Sequence, residues 1–294
     1  VNILVTGGGG MLGSVLVPVL ALEGHSVVNT DLTYSTAFTH LDVRSRAQVR
    51  AFIDTTRPDI VLHLAACTSL EGCENEPDVA WHTNALGTRY VAQECRRVRI
   101  PMVYISSAGI FDGEQDAPYT EFDVPNPINV YGKSKWEGEQ IVRETLMEHF
   151  IVRAGWMMAG GPEKDHKFVS HVTKQILAGV TRIPAVDDLY GSPTYALDLS
   201  RTLADLIKTR NFGTYHMVSG GVVSRYDVAR AIVSAWGRPG IDVIPVPSTH
   251  FDTQFFARRP TSESMRNMIL ELEGHNTMRP WQEAVAEYVQ EWFS

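Results

Sequence analysis

The chain has no apolar run approaching the length of a bilayer span, no internal repeat and no low-complexity tract. The given residues enter a strand directly, so no signal peptide and no membrane association are expected and the cytoplasm is the expected compartment. Cysteine is scarce: Cys67, Cys73 and Cys95 are odd in number and lack the paired spacing of a zinc or dithiol redox site, so they read as buried or idle thiols. Positive charge is also short, with 26 Lys and Arg against 34 Asp and Glu and a net charge of −8. That balance argues against nucleic acid as a partner, and an anionic substrate must find local basic residues. What remains, 294 residues with 44% hydrophobic and 20% charged side chains, suits one large α/β domain or a domain with a smaller lobe.

The first thirty-one residues carry the strongest local signal. Asn2–Val5 read as a short buried strand, Met11–Leu22 show helical periodicity, and His25–Thr30 read as a second strand ending on Asp31. Gly7, Gly10 and Gly13 stand between the first strand and the helix at a GxxGxxG spacing. Such glycines permit a tight turn, close approach of the backbone to a pyrophosphate, and close packing of helix on strand. The helix start, with Met11 and Leu12, offers amides and a partial positive charge to that pyrophosphate. Asp31, eighteen residues after Gly13, is placed to accept hydrogen bonds from ribose hydroxyls. The implied ligand is a nicotinamide dinucleotide, NAD in preference to NADP, because no Arg or Lys lies between Asp31 and Arg44 to receive an extra phosphate.

Strands and helices continue to alternate, which predicts an α/β fold: a Rossmann-type, doubly wound parallel sheet. Leu41–Val43 is expected as a third strand, Ser45 as the cap of a helix running to Thr56, and Ile60–Leu64 as a buried strand followed by the small Ala65 and Ala66. Asp42 and Val43, with Leu64, Ala65 and Ala66, join the expected cofactor set. Residues 78–98 are expected as one long helix, Met102–Ser106 as a strand, 111–130 as a Pro- and Asp-rich loop, 131–148 as a helix and Phe150–Arg153 as a sixth strand. The alternation then loosens at Gly160-Gly161-Pro162. The expected division is therefore a cofactor domain over 1–155 and a smaller, partly interleaved substrate lobe over 156–294, with part of about 187–220 returning to the first domain.

Tyr131 and Lys135 lie four residues apart, on one face of their helix. A phenol is a poor acid or base near neutrality unless a cation stabilises its anion, and Lys135 is positioned to do so. Ser106 and Ser107 end a strand at the carboxyl edge of the sheet, where open α/β sheets bind ligands. On the substrate side the candidates are Thr68, Ala108, Trp156, Lys164, Lys167, Arg258 and Arg259, the cations to neutralise a diphosphate and Trp156 to pack on a sugar or base. Asp187-Asp188 has no further ligand at a sensible spacing and reads as a turn before a strand, so no metal site is expected. His63, on an apolar strand, reads as a core histidine.

Several segments together resemble the extended short-chain dehydrogenase/reductase superfamily and, within it, the dTDP-4-dehydrorhamnose reductase family. They are Thr6-Gly-Gly-Gly-Gly-Met-Leu-Gly13, His63-Leu-Ala-Ala66, Asn84-Ala-Leu-Gly-Thr88, Ser106-Ser-Ala-Gly-Ile-Phe-Asp-Gly113, Asn129-Val-Tyr-Gly-Lys-Ser-Lys135, Arg153-Ala-Gly-Trp156, Tyr190-Gly-Ser-Pro-Thr194 and Arg259-Pro260. The last two narrow the match to that family. The resemblance covers nearly the whole chain and implies a catalytic triad of Ser107, Tyr131 and Lys135, with Asn84 supporting a proton relay. It implies reduction of the 4-keto group of a nucleotide-activated, dTDP-linked 4-keto-6-deoxysugar, and a homodimer is carried as the expected assembly. Tyr131 would protonate the ketone oxygen as hydride arrives, Ser107 would hold that oxygen, and Lys135 would lower the Tyr131 pKa and bond the nicotinamide ribose.

Related activities are argued down by two residues. Sugar-nucleotide dehydratases carry an Asp-Glu pair after the active hydroxyl, and GDP-fucose synthases a cysteine, whereas this chain has Ala108-Gly109. The reductases themselves often carry Asp-Tyr there, so Ala108-Gly109 predict a pocket short of polar partners that accepts a deoxygenated or bulkier sugar. The rival readings are a non-catalytic, dinucleotide-binding subunit like the β subunit of methionine adenosyltransferase, and a nucleotide-sugar epimerase. Intact glycines, Asp31 and the triad favour the reductase.

Overall fold

Asn2–Thr6, Ser26–Asp31, Ile60–His63, Met102–Ser107 and His149–Ala154 are short runs dominated by aliphatic residues, and each forms a strand. The computed structural model describes residues 1–237, 240–251 and 253–293. With Thr39–His40 and Gly213–His216, these strands form one parallel sheet of seven. Across the sheet the order is Gly213–His216, His149–Ala154, Met102–Ser107, Ile60–His63, Asn2–Thr6, Ser26–Asp31, Thr39–His40. The chain thus starts mid-sheet, builds outward on one side, then returns to build on the other. The reversal falls between Asn2–Thr6 and Ile60–His63, and a crevice at the carboxyl ends of those strands follows from it.

Both faces of the sheet are covered. Ile3, Val5, Leu62, Val103, Phe150 and Val152 share one core with Leu12, Leu16 and Leu20 of helix Met11–Leu22 and with Leu199 and Leu203 of helix Ala196–Thr209. Leu4, Val61, Tyr104 and Ile151 face the other way, into a core with Val49, Ile53, Val91, Cys95 and Val142. Strands buried on both faces read as continuous apolar runs instead of alternating patterns.

After Ala154 the architecture changes to three small sheets: Trp156–Met158 with Pro193–Tyr195, Arg182–Val186 with Asp242–Val246, and Tyr190–Gly191 between Val223–Ser224 and Ser262–Glu263. Helices Phe168–Leu177, Arg225–Trp236 and Trp281–Phe293 contribute Val172, Ile176, Val228, Ile232, Val285 and Tyr288 to a separate core. Ser224 starts its helix with a reciprocal capping box to Asp227, an arrangement typically contributing ~1 kcal/mol. The 187–220 stretch supplies both helix Ala196–Thr209 and the seventh strand of the main sheet.

Three local expectations are corrected. The third strand is Thr39–His40, not Leu41–Val43; Asp42 instead closes a turn, its carboxylate accepting from the Arg44 amide at 2.9 Å. Residues 78–98 are not one regular helix. Helix Pro77–Trp81 passes through a π-helical stretch, His82–Gly87, before helix Thr88–Val98. The Tyr131 helix spans Val130–Thr145 and stops short of 148, because His149 already enters the next strand. No helix among the described residues is long and apolar enough to cross a membrane.

Candidate active site

The cofactor side is built from backbone. Gly7 has φ +74, and a Cβ there would sit 2.5 Å from the Ala65 nitrogen, so the first strand and the Leu64–Ala66 segment meet through a glycine. A Cβ on Gly13 would lie 2.4 Å from the Gly8 Cα, which presses the helix against the loop that precedes it. The helix begins at Met11 after Gly10, and its first-turn amides, Met11 and Leu12 among them, have no intrahelical acceptor. Asp31 ends the adjoining strand. One of its oxygens accepts from the Gly9 amide at 2.9 Å and the other from the Thr33 amide and hydroxyl at 3.0 Å, which fixes the carboxylate beside the glycine loop. A close-packed glycine loop, helix-start amides without an intrahelical acceptor and a fixed acid beyond them fit a dinucleotide.

Asp42 and Val43 lie on the turn after the short third strand. Asp42 is paired side-on with Arg44, with Nη2 to Oδ2 at 2.9 Å, so the first cation after Asp31 is already held by a carboxylate. Val43 is buried and packs near Gly87 of the π-helical stretch.

The candidate catalytic side chains gather at the carboxyl ends of the central strands. Asn129 caps the Tyr131 helix by accepting from the Gly132 amide at 2.7 Å, and its amide nitrogen donates to the Arg258 carbonyl at 2.9 Å. Ser107 and Tyr131 meet beside Gly109: the Ser107 hydroxyl and the edge of the Tyr131 ring each lie 3.4 Å from where a Cβ of Gly109 would stand. Burial pushes the Tyr131 phenol up to about 12, partly offset by the Ser107 hydroxyl and reinforced by Glu263. Lys135 is only 2% exposed, and burial lowers its ammonium to about 7. Its Nζ lies 4.1 Å from the Tyr104 ring centroid, over the face of the ring. Burial thus favours the neutral phenol, and the lowering of the Tyr131 pKa by Lys135 expected from the sequence is not seen.

Asn84 sits fully buried in the π-helical stretch. Its Oδ1 accepts from the Cys67 amide at 2.8 Å, and its Nδ2 donates to the Cys67 carbonyl at 3.0 Å and to the Ser134 hydroxyl at 2.9 Å. It ties the loop after the fourth strand to the Tyr131 helix. Short π segments recur at functional sites. His63 is a core histidine, between the Thr6 hydroxyl at 2.7 Å and the Thr88 hydroxyl at 3.1 Å, and burial lowers it to about 3.

The opposite wall comes from the second half of the chain. The Trp156 indole N–H donates to Glu263 at 2.8 Å, and the Arg225 guanidinium stacks 3.7 Å from the Trp156 ring centroid. Arg259 bonds Glu71 of the first half at 2.7 Å, so a cation–carboxylate pair bridges the two halves at this cleft. Lys167 reaches across to the Thr68 carbonyl at 3.3 Å. Burial lowers its ammonium, with Arg225 adding to the effect and Arg259 contributing further. Lys164 is placed elsewhere: its Nζ donates to the Gly9 carbonyl at 2.9 Å, on the glycine loop. Arg258 is exposed, and only its carbonyl joins the site. Ala108 is 2% exposed and lies in a small cluster under the site with Phe111, Tyr119 and Met265.

Sequence reasoning missed Arg225, Glu263 and Glu71, and the approach of Cys67 to Cys73, whose sulfurs lie 3.5 Å apart beside the site. The signal for Arg225 was its place just after the Ser224 cap; nothing local marked Glu263. Asp187-Asp188 do precede a strand, and Asp188 accepts from the Ser248 amide at 2.8 Å. No group of three metal-ligating side chains occurs among the described residues.

The model of the RmlD substrate binding domain matches residues 1–293. A dTDP-4-dehydrorhamnose reductase of Mycobacterium tuberculosis is 34% identical over 290 residues, covering 97% of this chain and 91% of its own. A dTDP-4-keto-6-deoxy-D-glucose reductase of Streptomyces niveus is 34% identical over 256 residues, covering 83% and 82%. Among solved structures, the dTDP-4-dehydrorhamnose reductase of Bacillus anthracis in complex with NADP superposes with a TM-score of 0.91 at 33% identity, over 99% of both chains. With the doubly wound sheet, the glycine loop and the juxtaposed Ser107, Tyr131 and Lys135 already described, these matches settle the lineage: the chain belongs to the RmlD family, the dTDP-4-dehydrorhamnose reductase branch of the extended short-chain dehydrogenases/reductases.

Proposed function

We propose that the protein is an NAD(P)H-dependent oxidoreductase that reduces the 4-keto group of a nucleotide-activated 4-keto-6-deoxysugar, with dTDP as its nucleotide and NADH as its preferred cofactor. The observation that carries this reading is the convergence of Ser107 and Tyr131 beside Gly109 at the carboxyl edge of the sheet, one helical turn from buried Lys135, between the glycine loop and the Lys167 and Arg259 side chains. Residues 1–155 then serve mainly the cofactor and 156–294 mainly the sugar nucleotide, with 187–220 shared.

A bound nicotinamide supplies the hydride. Tyr131 gives its phenolic proton to the ketone oxygen, and Ser107 donates a hydrogen bond to the same oxygen, so the developing alkoxide is met by two hydroxyls. Lys135, protonated, stabilises the phenolate that Tyr131 becomes. Asn84 keeps the Cys67 loop and the Tyr131 helix in register through Cys67 and Ser134. Lys167 and Arg259 face the diphosphate, Arg259 exchanging Glu71 for phosphate oxygens. The preference for NADH rests on Asp31, whose charge repels a ribose phosphate while Arg44 is held by Asp42. A panel of nucleotide-linked 4-keto-6-deoxysugars assayed for NADH oxidation tests the reading. Turnover of at least one dTDP-linked member is expected, and a protein that binds NADH but turns over none would refute it.

A further inference from the structure

The exit from the catalytic strand carries no polar side chain at Ala108 or Gly109, yet the space beside it is not empty. The segment after Arg259 is zipped onto the loop that follows Ser107. The Tyr119 amide donates to the Ser264 carbonyl and the Arg266 amide to the Tyr119 carbonyl, both at 2.8 Å. Ser262–Glu263 is at the same time a strand, paired in parallel with Tyr190–Gly191. These two attachments bring Glu263 over Gly109. Its Oε1 lies 3.4 Å from where a Cβ of Gly109 would stand, at the same distance as the Ser107 hydroxyl and the Tyr131 ring. Its Oε2 is held by the Trp156 indole N–H at 2.8 Å, and no described residue donates to Oε1. The Arg225 guanidinium stacks over the face of the same Trp156 ring, 3.7 Å from its centroid.

We propose that Glu263 is the specificity-determining residue of the ketone site, accepting through Oε1 a hydrogen bond from the sugar hydroxyl next to the reacting carbonyl. In a 4-keto-6-deoxyhexose, one neighbour of the carbonyl, C5, carries the ring oxygen and the methyl group. The other, C3, carries a hydroxyl, so the 3-hydroxyl is the group recognised. A carboxylate fixed by an indole is a charged acceptor that leaves little room to adjust, and a sugar lacking the hydroxyl leaves it unpaired. The polar partner missing from positions 108 and 109 is thus supplied from a distant segment, which reverses the expectation of a permissive pocket. This inference rests on the proposed reductase activity.

The test compares a dTDP-linked 4-keto-6-deoxyhexose with its 3-deoxy counterpart by kcat/KM for NADH oxidation. The wild type should favour the 3-hydroxy sugar roughly ten- to a hundred-fold. Glu263→Ala should bring that ratio to within about threefold of unity, chiefly through a higher KM for the 3-hydroxy sugar. Glu263→Gln, which keeps the Trp156 bond but removes the charge, should fall between. NADH titration verifies that both variants are folded. A wild-type ratio near one, or both variants keeping the wild-type ratio, overturns the inference and leaves the reductase reading intact. Reduction of neither sugar by wild type overturns the activity and, with it, this inference.

Discussion

The two walls of the cleft are made of different material. The proposed cofactor wall is backbone: residues 6–13 in sequence, the amides of one helix start and a single acid, Asp31, bonded to the Gly9 amide. The proposed sugar wall is side chain: Trp156, Arg225 and the segment that carries Arg259 and Glu263 arrive from separate parts of the chain and are held by a hydrogen bond, a stacked guanidinium and an ion pair. A backbone wall cannot be altered without moving the fold. A side-chain wall can be re-specified one residue at a time, so one cofactor edge can serve many sugars.

The variant expected to have the largest effect lies where the walls meet. Tyr131→Phe removes the proton donor and should cost ~10²–10⁴-fold in kcat, with the NADH dissociation constant barely changed. Near-normal turnover would move the acid to another residue. Next comes a blow to the backbone wall. Gly13→Val drives a side chain into the Gly8 backbone and should weaken NADH binding at least about tenfold while lowering stability by ~1–3 kcal/mol. Fluorescence titration and thermal melting read the two effects together, and a variant that melts lower yet binds NADH normally would separate the helix contact from cofactor binding.

The sugar wall should respond differently. Arg259→Ala breaks a partly exposed ion pair with Glu71, so stability should change by less than ~1 kcal/mol. The KM for the nucleotide sugar should rise about tenfold through the lost diphosphate contact, with NADH affinity retained. A matching loss of NADH affinity would show that the walls are not independent. The smallest change is expected at Asp31. Asp31→Ala should narrow the preference for NADH over NADPH several-fold, mainly by relieving repulsion, and should weaken NADH itself through the freed Gly9 amide. A wild type that favours NADPH would instead assign the choice to a cation outside this strand.

The same contrast governs what the sequence could reveal. The cofactor wall was legible because its parts are consecutive: the helix was placed at Met11–Leu22 and is found there, and Ser45 caps its helix as expected, accepting from the Gln48 amide. The π-helical stretch at His82–Gly87 was not, since a wider turn within a continuous helical run leaves no separate mark on apolar periodicity. Thr39–His40 escaped because a two-residue edge strand pairs only with Thr30 and Asp31 and carries no apolar pattern of its own. Lys164 was read as a substrate cation from its charge and neighbourhood, but the fold of Gly161–Lys164 directs it to the Gly9 carbonyl. Glu263 could not be found from the chain alone, because its meaning depends on an empty position, Gly109, more than a hundred residues earlier.

The central claim is that the two walls bring hydride and proton to one carbonyl. Deuteride transfer tests it most directly. The wild type, given cofactor deuterated at the transferable position of the nicotinamide and a dTDP-linked 4-keto-6-deoxysugar, should yield one cofactor oxidised per sugar, with deuterium at C4 of the product and none at C3 or C5. Oxidation of the cofactor without deuterium at C4, or its appearance at C3 or C5, would contradict direct reduction of the 4-keto group in this cleft.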